Sequence, residues 1–322
     1  MTVAIETIGL VKKFGETRAL DGINLKIQQG SVYGLLGPNG AGKTTTIRIL
    51  ATLLKPTEGK ATVLGQDVVR EAASVRARVG LTGQYASVDE ELTGHENLVL
   101  IGRLLGLSWK AANVRSAELL SAFGLSDAAT RLARTYSGGM RRRIDIAAGL
   151  VFTPEIVFLD EPTTGLDPRS RSQVWDIVRA IAAQGTTVLL TTQYMEEADR
   201  LADRLAVIDH GRVIAEGTSQ DLKSSVGAST LRVRLYNAED RAAAETKLTQ
   251  SMALEILPGN DPLSFVANIA REAQIPEIFQ TLSGDGIRLA EFATGQPSMD
   301  DVFFALTGHL ADNKSEDGEV QS

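Results

Sequence analysis

The chain has no cysteine among its 322 residues. A disulfide framework, a thiolate metal site and a cysteine nucleophile are therefore all excluded. Its three histidines, His95, His210 and His309, stand far apart with no metal-ligand spacing, so each is expected on the surface or in a loop. No window approaches the ~18–20 continuous apolar residues that would span a bilayer. The start, MTVAIETIGLVKKFG, lacks the basic stretch and apolar block of a secretion signal, which predicts a soluble, cytoplasmic chain. A basic excess is missing too: 33 Lys and Arg face 40 Asp and Glu, a net charge of −7. Of this, −3 lies in Ala311 to Ser322, where Lys314 faces Asp312, Glu316, Asp317 and Glu319. The mildly acidic remainder argues against sequence-independent nucleic-acid binding, which draws its affinity from basic surface. What is present is the balance of a globular protein, 43% hydrophobic and 23% charged. The length calls for two domains.

Short β-branched runs alternate with helical stretches. SVYGLLG (31–37), EIVFLD (155–160), TTVLLTT (186–192) and RLAVIDHGRVIAEG (204–217) read as buried strands bounded by glycine. Helical spacing lies between them, as in Met140, Ile144, Ala147, Ala148 and Val151, so a parallel α/β sheet is expected. The first forty residues alternate more like an antiparallel β layer. From about 94 to 150 the strand signal almost vanishes, which predicts a helical subdomain inserted in the core. The style changes near Ser224–Gly227. TLRVRLY (230–236), the helix of AEDRAAAETKLTQSM, LSFVANI, IPEIFQTLSG, IRLAEFAT and SMDDVFFALTG predict a small α+β domain over 226–310, with a ferredoxin-like arrangement as one candidate. The acidic tail 311–322 is expected to be disordered.

GPNGAGKTT (37–45) fits G-x-x-x-x-G-K-[ST] and sits between a strand and a helix. Chance would produce such a match in roughly one or two chains per hundred of this size; the strand-and-helix context makes chance a poorer account still. Gly37, Gly40 and Gly42 let backbone N–H groups close around phosphate oxygens, and Pro38, Asn39, Ala41 and Thr45 complete the loop. The following helix turns its positive end to the same anion. Lys43 supplies charge for the β- and γ-phosphates and Thr44 a hydroxyl for Mg²⁺. The strand IVFLDE (156–161) delivers Asp160 at its C-terminal end, where ligands collect in open α/β sheets, to hold Mg²⁺ through water. Glu161, next in sequence, is the natural general base for water. Nucleotide hydrolysis is the expectation.

At this point the residues resemble the ATPase subunits of ATP-binding cassette (ABC) transporters. YSGGMRRR (136–143) is similar to the family's signature motif and precedes a helix, 18 residues before Glu155 opens the Asp160–Glu161 strand. TGLDP (164–168), with Asp167, resembles the D-loop. Gln84, in GLTGQY, resembles the Q-loop glutamine that also reaches Mg²⁺. Phe14 matches the aromatic residue that stacks on adenine, although an ordinary core aromatic explains it almost as well. The likeness runs continuously over 1–225. It implies a P-loop NTPase fold with a RecA-like parallel core and ATP with Mg²⁺ as ligands. It also implies a head-to-tail dimer, with a homodimer expected, in which Lys43 of one subunit and Ser137, Gly138 and Gly139 of the other enclose each ATP. A separate transmembrane permease would be the partner, nucleic acid would not, and the chain would sit on the cytoplasmic face of the membrane. Tyr85, Leu92, Glu96 and Leu98 lie where the family receives the permease's coupling helix.

Two positions depart from the family pattern. Met140 replaces the signature glutamine, and Gln193, in TTQYMEEAD (191–199), stands in place of the switch histidine. A glutamine amide donates to a γ-phosphate oxygen but never carries a proton away; Gln193 is expected to sense the γ-phosphate while Glu161 remains the base. A plain strand-end glutamine is the alternative. TTQYMEEADRLADRLAVIDHGRVIAEGT, YSGGMRRRIDIA and PSMDDVFFALTGH resemble the daunorubicin-resistance-type exporter ATPases, which implies drug, antibiotic or lipid efflux. PSMDDVFFALTG also reads as an amphipathic helix with Val302, Phe303 and Leu306 inward. The run Arg141–Arg143 reads as a solvated helix face with one buried stem. A soluble ABC ATPase acting on ribosomes or DNA is disfavoured by the single cassette and negative charge, whereas an importer ATPase stays open.

Overall fold

A computed structural model describes residues 2–83, 88–226 and 229–308, apart from positions 253, 255, 260, 270–273, 285 and 296. It divides into two compact units, Met1–Glu216 and Gly217–Ser322.

The first unit opens with β1 (Val3–Phe14) and β2 (Thr17–Gln28), paired antiparallel through alternating buried residues such as Ile5, Leu10, Ile23 and Ile27. Strand β3 (Val32–Leu36) then leads through the glycine-rich loop into α1 (Lys43–Leu50). The segments β4 (Glu58–Val63) and β5 (Gln66–Asp67) rejoin the antiparallel layer, in the order β2-β1-β4-β5. That extension beyond the first forty residues was not legible in the sequence, because EGKATV carries few apolar positions. After α2 (Ala72–Arg76) and β6 (Val79–Thr82) come three helices: α3 (Gly94–Leu104), α4 (Trp109–Ala122) and α5 (Gly138–Gly149). Thr93 caps α3 through a reciprocal box with Glu96. The core resumes with β7 (Ile156–Asp160), α6 (Pro168–Ala183), β8 (Thr187–Thr192), α7 (Met195–Leu201), β9 (Arg204–Asp209) and β10 (Arg212–Gly217).

The main sheet runs β10-β9-β3-β8-β7-β6, with β9, β3, β8, β7 and β6 mutually parallel. Strands β3, β7 and β8 are buried at every residue, as expected where both sheet faces are covered. Successive residues divide between two cores. Phe158 and Leu189 join Ile23, Ile47 and Leu50 on one face; Val157, Leu159, Val188 and Leu190 join Ile144, Trp175 and Val178 on the other. The run 204–217 is two strands instead of one. His210 and Gly211 both take positive φ, 45° and 75°, and fold it into a tight hairpin. The edge strand β10 consequently alternates in burial.

In the second unit, α8 (Ser219–Val226) packs against the last helix, which is why the unit begins ahead of the composition change at 226. There follow β11 (Ser229–Leu235), α9 (Arg241–Met252), β12 (Ile256–Pro258), β13 (Ser264–Ile269), α10 (Gln274–Gly284), β14 (Leu289–Gly295) and α11 (Met299–Thr307). The fully antiparallel order β12-β13-β11-β14 on a βαββαβ path is the ferredoxin-like arrangement. Its core gathers Leu231, Val233, Phe265, Ala267, Leu248, Ile278 and Leu282. Helix α11 begins with a capping box of Ser298 and Asp301. Val302 and Phe303 are buried, but Leu306 is 37% exposed, contrary to the inward orientation its spacing suggests. It lies in the final turn, which ends at Gly308 in the left-handed conformation. The segment 311–322 lies outside the described residues.

Phe265→Ala should cost about 3–5 kcal/mol and Ser298→Ala about 1 kcal/mol. Both should appear as faster hydrogen exchange of the β11 and β13 amides in the full chain; unchanged exchange in Phe265→Ala would mean that this core does not hold the sheet.

Candidate active site

Adjacent parallel strands β3, β8 and β7 end at one edge of the sheet, and their C-termini deliver Gly37, Thr191–Thr192 and Asp160–Glu161 side by side. The Gly37 N–H donates to the Thr192 carbonyl at 3.2 Å, which moors the glycine-rich loop to the strand that leads into Gln193. A Cβ on Gly37 would run into the Ile208 carbonyl oxygen, and one on Gly42 (φ 107°) would lie 2.7 Å from the Ala19 carbonyl oxygen. The loop therefore needs glycine at both positions on steric grounds alone. Gly42 also caps α1 without any side-chain hydrogen bond, leaving the first N–H groups of the helix directed at whatever anion occupies the loop.

Lys43 is 3% exposed. Its ammonium donates to the carbonyls of Gly37 (2.7 Å) and Pro38 (3.0 Å) and stands 3.5 Å from Glu161 Oε1. Burial pushes its pKa down, while the Glu161 and Asp160 carboxylates oppose the shift. Thr44 Oγ1 donates to Asp160 Oδ1 at 3.0 Å, so a hydroxyl and a carboxylate of the type that suits a hard cation are already adjacent. Glu161 takes φ 48°, a left-handed conformation rare for a side-chain-bearing residue and one that marks strained functional positions. Thr164 Oγ1 donates to Glu161 Oε2 at 3.2 Å.

Ser137 caps α5 by accepting from the Met140 N–H, and Gly139 lies against Ser170 with no room for a Cβ. Asp167 caps α6, accepting from the N–H groups of Arg169 and Ser170 and from the Ser170 hydroxyl. Those bonds, the Ser170 hydroxyl foremost, hold its pKa below the usual range. The signature and Asp167 thus form a second group on the neighbouring helices α5 and α6. Asn39 and Gly40 stand exposed at the loop tip, and Ala41, Thr44, Thr45 and Gly138 line their segments. Gln193 is half-buried between β8 and α7. Phe14 is 50% exposed at the end of β1, with Lys12 Nζ 5.1 Å from its ring centroid, so it is not a core aromatic. Gln84 and Tyr85 lie outside the described residues.

Three sequence readings need correction. Leu98 is 1% exposed in the helical core, so it presents no docking surface, whereas Glu96 is exposed while engaged in the α3 cap. His95 is no loop residue: its ring meets Asn113 Oδ1 (3.0 Å) and Ser116 Oγ (2.9 Å), pinning α3 to α4, whereas His210 is exposed at the hairpin turn and His309 lies outside the described residues. Arg142 is not solvated. Its side chain is only 11% exposed, and burial lowers its pKa against the opposing Asp145 charge.

Two further residues had no sequence signal. Thr191 Oγ1 donates to Asp160 Oδ1 at 2.6 Å and accepts from the Glu161 N–H at 3.0 Å, so one hydroxyl fixes both acidic residues. Glu197, four residues beyond Gln193, is fully buried and accepts from Trp175 Nε1 at 3.1 Å. Burial raises its pKa above the ordinary 4.5, with Thr192, Thr163, Trp175 and Arg142 opposing. A raised carboxyl binds its proton more tightly folded than unfolded, so its contribution to stability falls as pH rises above the ordinary value. Glu197→Gln keeps the shape and removes that titration. Its stability relative to wild type should therefore rise as pH is raised above the ordinary carboxyl value of 4.5 in chemical unfolding; parallel curves would contradict the buried-acid assignment.

Comparisons with known proteins agree with this geometry. Residues 20–164 match the ABC transporter family model, and 217–307 match that of the C-terminal domain of DrrA1-3-like ATP-binding proteins. The chain is 60% identical to the daunorubicin/doxorubicin resistance ATP-binding protein DrrA of Streptomyces peucetius, over 98% of this chain and 95% of that one. It is 46% identical to the doxorubicin resistance ATP-binding protein DrrA of Mycobacterium tuberculosis, over 95% and 94%. The Nod factor export ATP-binding protein I of Sinorhizobium fredii is 37% identical, over 95% and 86%. Among solved structures, an ABC transporter cassette in its ADP conformation aligns with TM-score 0.63 and 27% identity, over 69% of this chain and 93% of that one. A dimeric post-hydrolysis cassette bound to ADP and Pi aligns with TM-score 0.61 and 27% identity, over 66% and 98%. With identity this high over nearly the full length, and with the phosphate loop and acidic strand end brought together, the chain belongs to the family of ABC transporter ATP-binding subunits, ATPases that work with transmembrane partners.

Proposed function

We propose that this chain hydrolyses ATP as one half of a head-to-tail pair of identical cassettes, driving a separate permease that exports amphipathic drug- or lipid-like molecules. The observation that carries the reading is the cluster of Lys43, Thr44, Asp160 and Glu161 at one sheet edge, held by Thr191. Lys43 and the N-terminus of α1 receive the β- and γ-phosphates, where a buried cation and aligned N–H groups act most strongly. Thr44 and Asp160 would hold Mg²⁺, joined by Gln84; the ion neutralises charge on the phosphates when bound. Glu161 takes the proton of the attacking water, and Gln193 donates its amide to the γ-phosphate, contributing position and a dipole but no proton. Phe14, exposed at the end of β1, is free to stack on the base. Ser137, Gly138 and Gly139, opening α5, would close on the nucleotide of the other subunit, with Asp167 across the interface.

Direction and cargo come from the relatives. The proteins sharing 60% and 46% identity are named for daunorubicin or doxorubicin resistance, and a more distant one for Nod factor export. All three act in resistance or export, which favours an exporter over an importer or a ribosomal ATPase. A site on the cytoplasmic face of the membrane follows from this role. Among the described residues no helix is long and apolar enough to cross a membrane, so the spanning part would lie on the permease chain.

Glu161→Gln removes the base and preserves the shape. ATP turnover should fall by at least about 100-fold, with MgATP binding retained and an ATP-dependent dimer visible by light scattering. Pulled from native membranes, the trapped variant should carry a polytopic membrane protein; ribosomes or nucleic acid in its place would overturn the exporter reading. Gln193→Ala should lower turnover about 10-fold or more without abolishing it, and an unchanged rate would remove Gln193 from the γ-phosphate site.

A further inference from the structure

Glu161 sits in a strained left-handed conformation, and such a conformation persists only where its surroundings over-determine it. One restraint comes from β8, through the Thr191 hydroxyl and carbonyl on the Glu161 N–H. The other comes from an element that the acidic motif does not contain. Arg142, on signature helix α5, donates from Nη2 to the Asp160 carbonyl at 2.9 Å and from Nε to the Pro162 carbonyl at 2.9 Å. These are the carbonyls of the residues on either side of Glu161. Its Nη1 donates to the Gly83 carbonyl at 2.6 Å, the residue immediately before Gln84, and to Asp145 Oδ2 at 3.3 Å.

The chemistry selects arginine. The guanidinium is a planar fork whose N–H groups point in fixed, divergent directions, so three carbonyls and one carboxylate can be held simultaneously. A lysine offers one compact ammonium at the end of a flexible stem and cannot span them. The group has no solvated role, since the Arg142 side chain is 11% exposed and that of Asp145 1%. A buried charge is tolerated when its partners are complete, and here they are supplied by three separate chain segments.

We propose that Arg142 is a positioning residue that ties the signature helix to the turn holding Glu161. The helix whose N-terminus closes on the other subunit's nucleotide thereby also sets the direction of this subunit's own base. Movement of α5 on nucleotide closure would be transmitted through one rigid side chain to the Asp160–Pro162 backbone and to the start of the Gln84 segment. The inference rests on Glu161 being the general base.

The test compares full-length wild type, Glu161→Gln, Arg142→Lys and the double variant Arg142→Met/Asp145→Leu with MgATP. The double variant removes both buried charges together. In Arg142→Lys and in the double variant, kcat should fall about 100-fold, the scale of a base displaced by about 1 Å. KM for ATP and thermal unfolding should stay near wild type. Introduced into Glu161→Gln, Arg142→Lys should add little further loss, since both act through the same carboxylate. A purely structural arginine would instead lower Tm, or raise KM and lower kcat together, and would add its full loss in the Glu161→Gln background. Wild-type kcat in Arg142→Lys, with Glu161→Gln inactive, overturns the positioning role alone. Wild-type kcat in Glu161→Gln overturns the base assignment and the inference with it. If the double variant does not fold, Arg142→Lys, which keeps the charge, decides the matter.

Discussion

A lysine ammonium held almost completely out of water is the constraint around which the first unit is arranged. Lys43 can stay charged at 3% exposure only because two loop carbonyls and the Glu161 carboxylate surround it. Those partners come from the loop after β3 and from the end of β7, so they meet only if these strands lie in one parallel sheet with β8 between them. The apolar composition of all three strands and the two cores on either face follow from that need. A triphosphate entering the loop meets a cation whose solvation cost was met in folding, which makes the charge more effective than one stripped of water on binding.

The acidic strand end is restrained from several directions. Asp160 accepts from two threonine hydroxyls, on α1 and β8, and Glu161 is gripped through its own N–H by β8 and through neighbouring carbonyls by α5. Glu197 lies behind this group, fully buried, close enough for the Arg142 charge to oppose the effect of its burial. Residues around a reacting centre thus form a shell whose geometry is set before any ligand arrives. Preorganisation of this kind favours a developing charge without reorganisation during the reaction.

How much of this was legible in the sequence depends on range. The phosphate loop, Asp160 and Glu161 were legible because each is a short motif whose spacing has a local physical meaning: a turn, a helix start, a strand end. Three strands of the second unit, β11, β13 and β14, were legible because they alternate in hydrophobicity, and β5, β6 and β12 were not because they are too short to show a period. Thr191, Arg142 and Glu197 act across the sheet, at separations of 18 to 31 residues for the bonds concerned, and no spacing rule connects them to the site. Arg142 was hidden further by its neighbours, since a run of three arginines looks solvated until the backbone shows which one points inward. His95 misled for the converse reason: an isolated histidine carries no sign that Asn113 and Ser116 await it on the next helix.

The glutamine at 193 becomes intelligible against this background. A switch histidine offers hydrogen bonding together with a proton, whereas a glutamine amide offers the hydrogen bond alone. Here Lys43 is buried within 3.5 Å of Glu161, and the guanidinium of Arg142 lies beside the Asp160 and Pro162 carbonyls. Burial lowers the pKa of each, and the neighbouring carboxylates oppose that shift. With both cations beside the acidic turn, the task we propose for Gln193 is a geometric one, the donation of one N–H just beyond β8. A neutral amide performs that at every pH. The departure from histidine fits that proposed role, in which Lys43 and Arg142 supply charge beside the acidic turn and residue 193 contributes an uncharged hydrogen bond.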